Sequence, residues 1–304
     1  MREGPGYLLV IPWGLAAPGG VSQIVASLHR ELGALGWNPT VLVPTWAATS
    51  PAVDDTGEVP VLRWRIRPPW SDGRAVKALI AFLLTFPAFA WRWRALVRRH
   101  DWQVVNVHYP GLSALAWIAL KRLKLWHGAV VLSVHGREVR DPQPPRGAVA
   151  RRLMAYLLAN ADAVVACSGE LARDVLRIAP GAAGHLRVVA NGISAEALQA
   201  EFDPSFELPD GLPGCRYVLN VATFEHKKAQ DVLVDAFALV AARQPDVRLV
   251  LVGRATTWLA EIRQRASGLG IAHRVLFFTD LPHYQVLSFL AHASLFCLPS
   301  RAEG

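Results

Sequence analysis

The chain has few cysteines, and several familiar signatures are missing from it. Cys167, Cys215 and Cys297 stand far apart among 304 residues, and no C-x-x-C pair occurs. An odd, scattered set fits separate thiols in a reducing compartment and argues against a disulfide framework. No G-x-G-x-x-G follows the first apolar run and no acid closes the second, which lowers the case for a nicotinamide or flavin enzyme. Without G-x-S-x-G, H-E-x-x-H or zinc spacing, a serine hydrolase or metalloenzyme has little support. No zinc-finger or RNA-binding aromatic pattern appears, so nucleic acid is not an expected partner. The opening "MREGPGYLLVIPWG" has an apolar run of about six residues, too short for a signal peptide. The longest apolar stretch, "ALIAFLLTFPAFAW" at 78–91, contains a proline and falls short of the roughly twenty residues that span a bilayer.

What is present is a greasy, basic chain. Hydrophobic residues make up 52% and charged residues 18%, a globular balance, and the length suits two domains. The net charge of +8 is unevenly placed: residues 1–200 hold 22 Lys/Arg against 13 Asp/Glu, and residues 201–304 hold 10 against 11. Ten of the eleven tryptophans also lie in the first segment. An anionic partner, phosphorylated or at a membrane surface, suits that half; the Arg-rich usage of a GC-rich genome is the plainer account. Arg92, Arg94, Arg98 and Arg99 follow the 78–91 stretch. It reads as a core helix or as one lying in a membrane interface with its arginines toward headgroups.

Apolar runs alternate with amphipathic stretches. "YLLVIP", "TVLVP", "WQVVNVH", "AVVLSVH" and "AVVAC" read as buried strands, with helices such as "VSQIVASLHRELGALG" between them. This is the pattern of a parallel sheet covered on both faces. Gly36 is placed to close the first helix, and Ser168 to cap "GELARDVLRIA". Periodicity fades at 201–214, "EFDPSFELPDGLPG", which reads as a linker between a domain at 1–200 and a second α/β series at 215–304. The fold class is α/β with two doubly wound domains. The second, with four strands, looks incomplete at its C-terminus, and an exposed apolar edge is expected there.

Ligands of open α/β sheets sit beyond the carboxyl ends of the strands, so polar groups there are the candidates. Gly19 and Gly20 precede the first helix, where backbone can approach an anion, or they form a plain tight turn. His108 and His135 end strands, for catalysis or for a structural hydrogen bond to a loop. Lys227 and Lys228 precede a helix start suited to a pyrophosphate, or they are a solvated pair. In "CLPSRAEG", Ser300, Arg301 and Glu303 follow a strand. Glu303 could accept from sugar hydroxyls or cap a helix.

In order, "PGGVSQ", "VVNVHYPG", "VLSVHG", "ADAVVACSGELARDVL", "VVANGI", "FEHKKAQDVLVDAFA" and "CLPSRAEG" resemble the retaining glycosyltransferases of family 4. The resemblance covers nearly the whole chain. It implies the GT-B fold of two Rossmann-like domains, a nucleotide-diphosphate sugar as donor, and an acceptor glycan or glycolipid on the N-terminal side. It implies no metal or other cofactor. It also implies a cytoplasmic enzyme, peripheral at the inner face of a membrane. By matching position, Gly19 and Gly20 approach the donor phosphates, His135 stands beside the reacting sugar, and Lys228 holds the diphosphate. Glu303 is the first acid of an E-x7-E motif that contacts the donor sugar, with Ser300 and Arg301 beside it. Asn191 and Gly192 form a structural turn. The family's arginine five residues before the lysine is Thr223 here, with Lys227 or Arg254 as candidate substitutes. The motif's second acid would fall beyond Gly304, so a truncated, inactive fragment is one alternative. A sugar-nucleotide epimerase and a nicotinamide oxidoreductase are the others.

Overall fold

The computed structural model describes residues 4–15, 19–54, 59–140, 147–209 and 212–301. The chain divides into two compact units between Gly192 and Ile193. In the first unit β1 (Gly6–Val10), α1 (Gly20–Ala34), β2 (Asn38–Pro44), β3 (Ala52–Asp54), β4 (Val61–Trp64), α2 (Ala75–His100) and β5 (Trp102–His108) come first. Then follow α3 (Leu115–Arg122), β6 (Ala129–Val134), α4 (Arg137–Arg140), α5 (Ala148–Asn160), β7 (Ala163–Ala166), α6 (Gly169–Ile178) and β8 (Leu186–Val188). The strands form one sheet in the order β3-β4-β2-β1-β5-β6-β7-β8, parallel except where β3 runs against β4. The order reverses at β1, whose neighbours are β2 and β5. In such sheets the carboxyl ends beside that reversal are where ligands bind.

Burial on both faces explains the unbroken apolar strands. Leu8 and Val10 point into a core shared with α2, α3, α5 and α6, while Leu9 and Ile11 join Val25 of α1 on the other side. Gly36 (φ 82°) follows α1, and Trp37 N–H returns to Leu32 O at 2.9 Å. A left-handed residue there closes the helix, as expected of a glycine. Ser168 caps α6, its Oγ accepting from Leu171 N–H at 3.1 Å.

The greasy stretch at 78–91 is part of a longer helix than its sequence suggests. α2 has 26 residues and contains Pro87, so by length and composition it could cross a membrane. The arginines that end the apolar run continue the helix, and its bounds cannot be read from hydropathy alone. One face of it is core. Trp93 is fully buried among the rings of Phe89, Trp102, Trp117 and Trp126, at centroid distances of 6.1, 5.3, 6.0 and 5.4 Å. The opposite face, with Val76, Ile80, Leu83, Leu84 and Trp91, is exposed.

The second unit holds α7 (Ala195–Glu201), β9 (Arg216–Val221), α8 (Gln230–Ala241), β10 (Val247–Gly253), α9 (Trp258–Gly268), β11 (Val275–Thr279), α10 (His283–His292) and β12 (Leu295–Phe296). Its four strands are parallel in the order β11-β10-β9-β12. Leu249 and Leu251 face α8 and α9, and Val250 and Val252 face the other side. The stretch at 201–214 does not mark the division between units. Phe206, Leu208 and Leu212 pack with Tyr217 and Phe289 in the second core, so these apolar residues anchor the segment despite its lost periodicity. As expected, apolar surface is open at the sheet edge: Leu295, Phe296 and Leu298 are 59%, 46% and 43% exposed.

Candidate functional site

At the strand ends of the first unit, a buried polar ladder leads to two histidines. Ser133 Oγ on β6 donates to Asn106 Oδ1 on β5 at 2.8 Å, and Asn106 Nδ2 donates to the Tyr7 hydroxyl on β1 at 3.2 Å. Burial pushes the Tyr7 phenol above its ordinary range, and the Asn106 contact opposes it. Polar groups buried in a sheet fix register because a slip would leave them unpaired. Two residues further along each strand, on the same faces, stand His108 and His135. His108 Nδ1 lies 3.1 Å from His135 Nε2, with the rings stacked at 5.4 Å. His108 is 1% exposed, and desolvation together with the neighbouring ring pushes its pKa down to about 3. Desolvation alone brings His135, which is half-buried, to about 4. Both rings are therefore neutral at pH 7.

Local structure holds His135 in place. It follows the end of β6 and precedes Gly136 (φ 131°), whose carbonyl accepts from Val139 and Arg140 N–H in the α4 turn. The buried Glu138 carboxylate accepts the backbone N–H of His135. The sequence allows a loop as the partner of each histidine; in the structure each has the other. The repeat that pairs them, Asn106-x-His108 and Ser133-x-His135, is visible in the sequence as two strands ending in the same polar-x-His pattern.

Beyond the neighbouring strand β1, Gly19 (φ 152°) precedes α1, whose N-cap gives no side-chain hydrogen bond, and a Cβ at Gly19 or Gly20 would meet nothing within 4 Å. The proline before them, Pro18, lies outside the described residues. A cavity of about 680 Å³ also opens in this unit, lined by Trp13, Trp46, Trp70, Tyr109, Arg65 and His108 among others. It is not legible in the sequence, because its lining comes from six separate stretches between Val10 and Ala150. Arg65 and Arg67 both lie over the Trp46 ring, at 5.9 and 5.4 Å.

The second unit gathers its candidates at the exit of β9. Thr223 follows that strand, and its carbonyl accepts Gln230 Nε2 at 3.0 Å. Lys227 and Lys228 sit in a single 3-10 turn, His226–Lys228, directly before α8. Ala229, in the left-handed region (φ 54°), starts that helix without a side-chain cap. Lys227 Nζ pairs with Glu225 at 3.3 Å, which weakens its case as a substitute for the missing arginine; Arg254 is exposed and has no ion pair among the described residues. Arg301 grips Asp231 with both guanidinium nitrogens, at 2.9 and 2.6 Å, and donates to the His226 carbonyl at 2.5 Å. That contact holds the Asp231 carboxyl below the usual range. Arg301 thus fastens the lysine turn to the segment after β12. Ser300 Oγ beside it is buried with no hydrogen-bond partner among the described residues. Glu303 lies outside the described residues. Among the described residues no group of three His, Cys, Asp or Glu side chains is placed to hold a metal ion.

Two Rossmann-like units with polar groups at their strand ends define the class: this is the GT-B fold of glycosyltransferases. The profile of Glycosyltransferase Family 4 matches residues 18–197, and that of the glycosyl transferases group 1 domain matches 212–304. The chain belongs to glycosyltransferase family 4. It is 26% identical over 236 residues to a GDP-mannose-dependent alpha-(1-6)-phosphatidylinositol monomannoside mannosyltransferase of Mycolicibacterium smegmatis, covering 77% of this chain and 60% of that protein. It is 25% identical to D-inositol 3-phosphate glycosyltransferase 2 of Catenulispora acidiphila, covering 96% and 71%. Among solved structures, the sucrose-phosphate synthase of Thermosynechococcus elongatus superposes with a TM-score of 0.68 at 22% identity, covering 99% of this chain and 76% of its own. HepE of Anabaena in complex with UDP superposes with a TM-score of 0.68 at 16% identity, covering 98% and 74%.

Proposed function

We propose that the chain transfers a sugar from a nucleotide-diphosphate sugar to an acceptor glycan or glycolipid, with retention of anomeric configuration. The observation that carries this reading is the Lys227–Lys228 turn set directly before the start of α8. An ammonium group at a helix start suits a diphosphate, and the Asp231 carboxylate, which takes the N–H groups of Asp231 and Val232 there, is itself neutralised by Arg301. Negative charge grows on the leaving diphosphate as the glycosidic bond breaks, so fixed positive groups there lower the barrier. Lys228 supplies that stabilisation without a metal. The open α1 start at Gly19 and Gly20 offers N–H groups to an anion, and His135 orients the sugar. Ser300 and Glu303 contact the sugar hydroxyls, and Arg301, the residue after Ser300, is joined to the lysine turn.

The acceptor reading rests on the first unit. Aromatic faces and guanidinium groups in its cavity suit a ring-bearing acceptor with negative charge. The names of the relatives, a phosphatidylinositol mannoside enzyme and inositol phosphate enzymes, point the same way. The exposed face of α2, with Arg74, Lys77, Arg94 and Arg98 along the helix or at its start, suits the inner face of an anionic membrane.

Calorimetric titration with UDP and GDP tests the donor site. Lys228→Ala is expected to weaken the nucleotide that binds by at least tenfold. Equal affinity in the variant would remove Lys228 from the site. The chain spans 60% of the length of the mannosyltransferase relative it matches.

A further inference from the structure

We propose that His108 is a positioning residue that fixes the tautomer of His135, so that His135 presents an Nδ1–H donor to ligand oxygen atoms. Two neutral imidazoles facing each other through Nδ1 and Nε2 share one proton at the contact, and two arrangements are open. In the first, His108 Nδ1–H donates to His135 Nε2. His108 Nε2 is then a bare lone pair, and His135 carries its proton on Nδ1. In the second, His135 Nε2–H donates to His108 Nδ1. His108 must then carry its own proton on Nε2, and His135 Nδ1 becomes an acceptor.

The buried end of His108 decides between them. His108 Nε2 is buried and has no hydrogen-bond partner among the described residues. Buried N–H groups without an acceptor are rarer in folded proteins than acceptors left unpaired, so the arrangement that leaves a lone pair there is favoured. The ladder below offers no relief. Asn106 already spends its amide on Tyr7 and its carbonyl on Ser133. Glu138, the buried acid beside the pair, takes the backbone N–H of His135. A shared proton charge is disfavoured as well, because both rings are shifted strongly toward the neutral form.

The consequence for chemistry is specific. His135 then serves as a hydrogen-bond donor to a hydroxyl, carboxylate or phosphate oxygen, and not as a base. That a ligand meets His135 rests on the glycosyltransferase reading; the tautomer does not.

The test is a long-range proton–nitrogen NMR correlation on the full chain labelled with ¹⁵N-histidine at pH 7. The two rings are assigned by loss of signals in His135→Asn and His108→Asn. The expected pattern is the Nδ1–H form for both, which for His135 is the form less favoured in free histidine. An Nε2–H pattern or a charged ring at His135 would overturn the proposal. His108→Asn keeps an N–H near the former Nδ1 and is expected to preserve the Nδ1–H form of His135. His108→Leu removes the donor, and His135 is expected to revert to mostly Nε2–H. An unchanged His135 in a folded His108→Leu protein would show that His108 does not set it. Should the leucine variant fail to fold, the wild-type pattern and the asparagine variant still decide. Loss of the Lys228 effect on nucleotide binding would leave this outcome untouched.

Discussion

Lowering the pH from 7 to 5 should destabilise the first unit through its histidine pair. The unfolded rings titrate near 6.5, while in the fold burial holds His135 near 4 and His108 near 3. A depressed histidine pKa means that the unfolded chain binds more protons than the fold across this range. Stability is therefore full above about pH 6.5 and is lost as the pH falls toward the folded values. At pH 5 the linkage costs about 2 kcal/mol from His135 and about as much again from His108, against a typical domain stability of roughly 5–15 kcal/mol. Paired carboxylates such as Asp174, whose pKa is lowered, lose their contribution at more acidic pH and interfere little. The assay is urea unfolding at both pH values, followed by tryptophan emission. Ten of the eleven tryptophans lie at 1–200, so the signal reports the first unit. The control is His108→Asn combined with His135→Asn, which is expected to show a much smaller loss. A wild-type protein that loses no more stability than this variant would refute the argument.

Two further outcomes follow from surface features. Leu83→Glu with Leu84→Glu removes two side chains that are 59% and 77% exposed on α2. Losing their insertion costs about 2 kcal/mol, roughly a thirtyfold drop in co-sedimentation with vesicles containing phosphatidylserine. Wild-type binding that ignores anionic lipid content would count against the helix as an interfacial anchor. Arg301→Ala frees Asp231 and the His226 carbonyl, and is expected to leave global stability nearly unchanged, since the pair is open to solvent. Faster amide exchange at 226–231 would register the loosening, and unchanged exchange would mean that the contact does not hold the turn.

The two α/β series were legible because strands buried on both faces show as continuous apolar runs, such as "VRLVLVG". Helix ends with chemical markers, Ser168 and Gly36, were equally plain. The segment at 201–214 misled because three anchoring apolar residues among prolines and acids have no period. The limits of α2 were not legible because only Phe89 and Trp93 are buried while its other face is exposed, so no single hydropathy rule sets them. At the candidate site, strand-end histidines and the lysine turn could be found from local sequence. The His108–His135 contact and the Arg301–Asp231 grip could not, because each joins residues whose meeting depends on strand order, 27 and 70 positions apart.

The edge formed by β12 also has a practical side. Its inner flank is tied to β9, with Cys297 N–H on Leu219 O at 2.8 Å and Asn220 Nδ2 on the Cys297 carbonyl at 2.8 Å. Its outer flank carries no strand among the described residues, and Leu295, Phe296 and Leu298 are open to solvent. Unpaired backbone beside apolar side chains is a template for another copy's strand. A strand added there would complete its hydrogen bonds, and Leu295→Lys would disfavour such pairing.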